Sequence, residues 1–261
     1  MLRAAGAKDD GESEERLLVA LRDRNAAAFR VALEAGADAN SNDAHGDPFI
    51  CVAAERGETE IVAALLDHKA NINARNSYKA TPLYLAIAFK HPETAAFLLN
   101  AGASIEDAQH NPLHIAVHTR DLATATLLLD KGADIHFGND AAIRTAAKAA
   151  DLELVKFLLE RGADPRGMSE QQENALHVAA YHGSPELIEM LIAKGVDVNA
   201  KQYTGQTALV FASAVGNLPA VKTLLAKGAD PNTRDEDGKS PLDHAQRFPE
   251  VRDALRAAGA K

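Results

Sequence analysis

Three histidines stand where they could bind a metal ion. His110, His114 and His118 follow one another at intervals of four residues. On one continuous helix this spacing would present three imidazoles on the same face, and imidazole nitrogen is a preferred ligand of Zn²⁺. The pattern therefore predicts a zinc site only if a single helix runs through all three residues.

Two other segments carry reactive residue types without the partners that their chemistry requires. Cys51 is the only cysteine, and a thiol nucleophile needs a paired general base, for which the sequence offers no candidate. The acidic stretch 235–237 resembles a calcium loop in charge but lacks the ligand spacing of that loop. The sequence also contains no glycine-rich phosphate loop. We therefore predict no catalytic residue and no cofactor.

The composition limits the class of partner. The 261 residues include 28 Lys and Arg against 37 Asp and Glu, which gives a formal net charge of −9. A nucleic-acid ligand needs a basic stripe, and no long run of lysines or arginines occurs. One cysteine suits a reducing compartment, and no stretch reads as a signal peptide or a membrane span. We expect a cytoplasmic protein that binds neither nucleic acid nor membrane.

A helix ending recurs along the whole chain. Eight positions that precede Ala or Val, mostly after leucine-rich stretches, are separated by 33, 33, 30, 30, 33, 33 and 31 residues. They are Gly36, Lys69, Gly102, Gly132, Gly162, Gly195, Gly228 and Gly259. A fixed period of about 20–50 residues indicates a stack of similar structural units rather than one globular core.

A second motif precedes most of these endings by 20 residues. Its clearest copy, Thr-Pro-Leu-Tyr-Leu-Ala, occupies residues 81–86, and further copies lie at 111–116, 174–179, 207–212 and 240–245. Thr, Ser or Asn at its first position can cap a helix, and Pro at the first helical position has the required φ. The motif resembles the Thr-Pro-Leu-His-x-Ala signature of the ankyrin repeat, which has a period of about 33 residues.

The resemblance implies an all-α fold, a solenoid of stacked helix–turn–helix units with projecting finger loops. We predict a flexible N-terminal tail at residues 1–12 and an ankyrin repeat domain at 13–261. The first and last units are predicted to be polar caps. The eight units are 13–40, 41–73, 74–106, 107–136, 137–166, 167–199, 200–232 and 233–261.

Two junctions depart from the repeat pattern. From a helix ending to the next Pro position the count is 13 residues at most junctions, but only 10 from Gly102 to Pro112 and from Gly132 to Ala142. The missing residues fall in the fingers, so we expect a recess in the middle of the binding face. Two explanations of the shortened fingers stay open: sequence drift in a scaffold that tolerates it, or space for a protruding segment of the partner. Repeat five, at 141–146, is predicted to lack a good helix cap.

The repeat register also argues against the zinc site. It places His110 in a finger, before the helix, His114 at the signature histidine position and His118 among the contact positions. Cys51 replaces a signature histidine and is expected to be buried. We therefore predict no metal site.

By the same resemblance, finger tips and the ends of first helices line a concave groove that binds a partner. Three of the four tyrosines fall at these positions, and aromatic side chains dominate binding hot spots. The predicted contact residues are His45, Arg56, Tyr78, Phe89, His118, Phe137, Lys148, Tyr181, His182 and Tyr203.

These observations favour a monomeric, non-catalytic interaction module. It would hold a folded protein or a peptide segment in the groove and act as an adaptor, inhibitor or sequestering protein. Three alternatives stay open: an immunity-type inhibitor that neutralises a specific bacterial enzyme, a zinc-binding protein, and a scaffold without a natural partner.

Overall fold

A computed structural model describes residues 10–107, 109–182 and 184–261. Within these ranges the chain forms sixteen helices and no strand, apart from two isolated β-bridges, Asn42 to Pro48 and Lys201 to Thr207. The predicted all-α class is therefore confirmed. The first helix begins at Asp10, inside the predicted tail 1–12, and residues 1–9 of that tail lie outside the described residues.

The chain divides into two compact units, one ending at Ala133 and one beginning at Asp134. In the first unit, each repeat contributes two antiparallel helices. The first helices α3, α5 and α7 pack side by side, and so do the second helices α2, α4, α6 and α8. The bounds are α1 Asp10–Arg22, α2 Ala26–Glu34, α3 Phe49–Glu55, α4 Thr59–Asp67, α5 Pro82–Ala88, α6 Pro92–Asn100, α7 Pro112–His118 and α8 Leu122–Asp130.

The second unit repeats this arrangement. The first helices α9, α11, α13 and α15 pack in order, and the second helices α12, α14 and α16 form a parallel row. The bounds are α9 Phe137–Lys148, α10 Leu152–Glu160, α11 Ala175–His182, α12 Pro185–Ala193, α13 Ala208–Val215, α14 Leu218–Ala226, α15 Pro241–His244 and α16 Pro249–Ala257.

Local sequence sets most helix ends. The Thr81 hydroxyl accepts the N–H of Tyr84 at 3.3 Å, and Asn111 Oδ1 accepts the N–H of His114 at 2.9 Å. Thr207 departs from this pattern, because its buried hydroxyl makes no hydrogen bond within the described part of the chain. At the other end, Gly102 takes the left-handed conformation with φ 92°, which terminates the helix as predicted.

Asparagines four residues after the helix endings at Gly36, Lys69 and Gly195 tie neighbouring repeats together. Asn40 Oδ1 accepts the N–H of Asn71 at 2.8 Å, and Asn73 Oδ1 accepts the N–H of Ser104 at 2.9 Å. In the second unit Asn199 Oδ1 accepts the N–H of Asp230 at 2.9 Å. Each bond satisfies a backbone donor of the next repeat, so these turn residues also fix the stacking of the units.

The shortened finger of the second unit is replaced by a left-handed turn. Gly138, Asn139 and Asp140 have φ values of 62°, 53° and 62°. The Arg144 guanidinium donates hydrogen bonds to the carbonyls of Gly138, Asn139 and Gly167. The buried Asp140 carboxylate accepts the N–H of Asp164 at 2.8 Å. Contacts distant in sequence therefore hold a backbone conformation that non-glycine residues adopt rarely.

Gly167→Ala tests how closely the chain approaches this turn. A Cβ at residue 167 would lie 2.5 Å from the Asn139 carbonyl oxygen and 2.8 Å from Asp140 Cβ, and backbone atoms cannot move away cheaply. We expect the free energy of unfolding to fall by about 1–3 kcal/mol, as for other overpacked sites. Urea unfolding followed by circular dichroism measures it. Met168→Ala, at the exposed neighbouring position, should change stability by less than about 0.5 kcal/mol. Equal stability of both variants would contradict the close approach.

Candidate functional site

The five contact residues predicted in the first unit all have exposed side chains, with Tyr78 at 79% and Phe89 at 52% of full exposure. Arg56 and Phe89 are the C-terminal caps of α3 and α5, and His118 is the last residue of α7. Since α3, α5 and α7 pack side by side, these helix ends form a row. The side chains of Arg56 and His118 thus flank the exposed ring of Phe89.

A finger tip and a helix end converge in this unit. His45 and Arg56 line one pocket of about 380 Å³, together with Leu18 and Leu21 of α1. Arg56 Nη1 also donates to the Leu21 carbonyl at 3.4 Å. The repeat register predicted His45 and Arg56 but not the α1 residues, because α1 lacks the signature motif that gives the register.

Tyr78 is presented on a well-braced turn. Its N–H donates to the side-chain oxygen of the buried Asn76 at 3.0 Å, and the same oxygen accepts the N–H of Ala80 at 2.9 Å. The neighbouring N–H of Ser77 donates to Asp47 of the preceding finger at 2.7 Å. A rigid backbone with an exposed ring loses little entropy when it binds a partner.

The first shortened finger borders a small pocket of about 200 Å³ that Tyr84, His110, His114 and His118 help to line. The Tyr84 and His110 rings lie 4.7 Å apart at 61°. Helix α7 begins only at Pro112, so His110 is not on the helix that carries the other two histidines. The condition for the zinc site is therefore not met, and no group of three His, Cys, Asp or Glu in the described ranges is placed to hold a metal ion.

In the second unit, Lys148, Tyr181 and His182 come together at the ends of two adjacent first helices. Lys148 ends α9, and Tyr181 and His182 end α11, which packs against α9. The Tyr181 and His182 rings lie 5.1 Å apart. Partial burial, and secondarily the charge of Lys148, lower the pKa of His182. Near neutral pH this site therefore presents one cation beside two neutral rings.

Phe137 is the first residue of α9, and Tyr203 lies on a finger loop of the second unit. Phe137 precedes the left-handed turn and is about one-third exposed, whereas Tyr203 is largely exposed at a finger tip. The N–H of Tyr203 donates to the Gln171 carbonyl of the preceding finger at 3.0 Å. Neither ring packs against another aromatic ring in the described part of the unit.

The remaining reactive residues are engaged in structure. Burial, and then the charges of Asp47 and Glu55, raise the pKa of Cys51 to about 12, so its thiol stays protonated near neutral pH. The Asp235 carboxylate lies 2.7 Å from His244 Nε2 and accepts the N–H of Lys239, which braces the last finger. None of the described helices is long and apolar enough to cross a membrane.

Comparison with known proteins gives short matches to two much longer curated relatives. Alpha-latrocrustotoxin-Lt1a of Latrodectus tredecimguttatus is 37% identical over 71 residues, which are 27% of this chain and 5% of the toxin. The E3 ubiquitin-protein ligase KEG of Arabidopsis thaliana is 34% identical over 101 residues, which are 38% of this chain and 6% of the ligase. The chain thus spans a small fraction of either relative.

Solved structures match over a much larger part of the chain. The human ASB11 ankyrin repeat domain, 24% identical, superposes with a TM-score of 0.73 over 81% of this chain and 98% of its own. The ankyrin repeat domain of Bcl-3, described as a unique member of the IkappaB protein family, is 30% identical with a TM-score of 0.66 over 81% of this chain and 99% of its own.

The family model for ankyrin repeats matches in three copies at residues 17–109, 113–202 and 143–235. These matches span most of the chain and include all the helix pairs that carry the predicted contact residues. Together with the glycine-terminated helix pairs and the cross-repeat asparagine bonds, they show that the chain belongs to the ankyrin-repeat family.

Proposed function

We propose that this chain is a non-catalytic interaction module that binds a folded protein through its finger tips and first-helix ends. Ankyrin repeat domains are generally protein–protein interaction modules. The observation that carries the proposal is the exposure of Tyr78, Phe89 and Tyr181, each more than half exposed. Exposed aromatic side chains on a rigid backbone are the usual composition of binding hot spots.

The charges beside these rings support a protein partner. Arg56, Lys90 and Lys148 are exposed, and none has a carboxylate within ion-pair distance in the described residues. Such cations can pair with carboxylates on a partner and help to fix its orientation. Each unit carries its own set of aromatic and cationic residues. The chain could therefore hold one partner with both sets, as an inhibitor or sequestering protein does, or join two partners as an adaptor.

The test is a tagged pull-down from native lysate, with Tyr78→Ala/Phe89→Ala/Tyr181→Ala as the comparison bait. Partners found with the wild-type chain are then purified and titrated by calorimetry. We expect the triple variant to bind at least about 100-fold more weakly, since each hot-spot truncation typically costs 1–2 kcal/mol or more. Its thermal stability should be nearly unchanged because all three side chains are exposed.

Leu122→Ala is the matched control, because Leu122 is 45% exposed but lies on the second helix α8. It should retain the wild-type affinity. If the triple variant and the wild type retain the same proteins equally well, the proposed surface is wrong. Two double variants, Tyr78→Ala/Phe89→Ala and Tyr181→Ala/His182→Ala, distinguish a single bound protein from an adaptor. If each double variant loses the same partner, one protein is bound by both units. If the two variants lose different partners, the chain acts as an adaptor.

A further inference from the structure

The outer face of the first two helices exposes positions that later repeats bury. Ala28 in α2 is exposed, whereas the residues that follow it at the repeat spacing in α4, α6 and α8, namely Ile61, Thr94 and Thr124, are buried. Each of those three helices packs against the second helix of the preceding repeat. Among the described residues no helix covers α2 in this way, so its repeat-stacking face is open.

This open face forms an apolar hollow of about 590 Å³ between α1 and α2. Val31 is 63% and Val19 is 41% exposed, although both lie on helices whose opposite sides are well packed. The prediction of a polar first cap is therefore wrong for this side of the unit. The apolar lining consists of Val19, Ala20, Ala28, Val31 and Ala32.

The rim of the hollow is acidic. Three carboxylates, those of Glu12, Glu15 and Asp23, line it together with a single guanidinium, that of Arg16. Arg16 is held by Glu12 at 2.6 Å. Asp23 lies 2.9 Å from Arg22 of α1, and both side chains are largely exposed, so the pair is screened by water. The acidic charge of the lining therefore exceeds its basic charge.

We propose that this hollow, defined by Val19 and Val31 and rimmed by Glu15 and Asp23, docks a basic amphipathic helix of a partner protein. The later repeats of the unit show that a helix fits against this face of a second helix. Alanines at residues 28 and 32 permit close approach, while Val19 and Val31 offer an apolar stripe. Lysines or arginines beside that stripe would meet the acidic rim, so charge complementarity selects a basic helix.

The hollow shares Val19 with the pocket at His45 and Arg56 but includes none of the aromatic contact residues, and its test uses a defined probe. A labelled synthetic helical peptide with leucines at i, i+3, i+4 and i+7 and lysines on both flanks is titrated against the full chain by fluorescence anisotropy. A second peptide carries glutamate in place of every lysine. We expect the lysine peptide to bind and the glutamate peptide to bind at least about tenfold more weakly.

Two variants localise the binding. Val19→Ser/Val31→Ser should weaken the lysine peptide at least about tenfold, because it removes the apolar floor. Leu122→Ser, with a comparable exposed fraction on α8, should leave the affinity unchanged. Circular dichroism confirms that both variants are folded. Equal affinity of the wild type and both variants would overturn the proposal, since attraction to an acidic chain alone would then explain the binding.

Two other occupants are separate outcomes, and each would also overturn the proposal. If the peptide binds only after residues 1–9 are deleted, a segment of the same chain occupies the hollow. If sedimentation shows a wild-type dimer that Val19→Ser/Val31→Ser dissociates, a second copy occupies it. Because Tyr78 and Phe89 are unaltered in all these proteins, failure here leaves the proposed partner-binding function standing.

Discussion

Replacing Leu158 by alanine is expected to lower the free energy of unfolding by about 2–5 kcal/mol. Leu158 lies in α10 and is fully buried, in a row of helices whose core is built largely from Ala, Val and Leu. Because the alanines leave little side-chain volume that could move, the space vacated by the leucine stays as a cavity. The lost apolar burial and the cavity both destabilise the native state.

Leu65→Ala provides the same test in the first unit. Leu65 is fully buried in α4 and stands at the same place in its helix, four residues before the left-handed helix ending. We expect a loss in the same range of about 2–5 kcal/mol. Urea unfolding of each variant, followed by circular dichroism, gives the free energy and the m-value.

Leu122→Ala is the control for both changes, since its side chain is nearly half exposed and should lose less than about 1 kcal/mol. Stacked repeats unfold through nearest-neighbour coupling, so a change in the m-value would indicate that one unit unfolds before the other. If Leu65→Ala and Leu158→Ala were no more destabilising than Leu122→Ala, the leucine stripe would not be the core.

The sequence predicts those features that local residues determine. A glycine such as Gly102 ends a helix through its own conformational freedom, and Asn111 caps α7 through a bond to a residue three positions ahead. Such interactions repeat with the period of the chain, so spacing alone locates them. The repeat register also predicts the exposure of the contact residues, because the ends of first helices occupy equivalent positions in successive repeats.

Features that depend on residues distant in sequence are not predictable in this way. The left-handed turn at Gly138, Asn139 and Asp140 needs the Arg144 guanidinium and the absence of a Cβ at Gly167. Arg144 stands at the signature histidine position of repeat five, where an arginine is not the expected residue, and Gly167 lies outside the signature. The sequence therefore shows that the finger is short but not which backbone replaces it.

The apolar hollow was missed for a related reason. The stretch 12–16 is polar, so the sequence of α1 alone predicts a charged surface. Val19 and Val31 belong to different helices, so their common exposed face becomes apparent only when α1 and α2 are paired. An alignment of the repeats indicates the hollow in part. Ala28 is exposed, whereas the residues at the same position in the following repeats are buried.

His177 should make the free energy of unfolding decrease as the pH falls below neutral. Its ring is almost completely buried and packs edge-on against Phe211 at 5.6 Å. Its nitrogens lie 2.9 Å from Asn174 Oδ1 and 3.0 Å from the Ala200 carbonyl oxygen. Hydrogen bonds to the backbone of Ala200 and Gln206 favour the protonated ring. Burial outweighs them because a charged imidazolium loses its hydration, and it lowers the pKa of His177 to about 4.

The unfolded chain binds a proton at this residue with a pKa of about 6.5, so between that value and about 4 it holds more protons than the folded chain. The contribution of the neutral His177 ring to the free energy of unfolding is therefore complete above pH 6.5 and is lost as the pH falls to about 4. The difference in pKa corresponds to about 3 kcal/mol in the free energy of unfolding. The carboxylates of Asp107, Asp164, Asp235 and Asp243 titrate below this window, because their interactions hold their pKa values below 3.8.

Urea unfolding at half-unit steps from pH 7.5 to 4 measures this effect. His177→Gln should be less stable than the wild type at pH 7, because it leaves the space of the ring partly empty, but its stability should fall less steeply across the window. His182→Gln should flatten the slope much less, because partial burial lowers the pKa of His182 in the same direction but its side chain is exposed and lies outside the core. If His177→Gln and the wild type lost stability in parallel, the buried ring would not be the group that senses acid, and the desolvation of His177 would be much smaller than its burial implies.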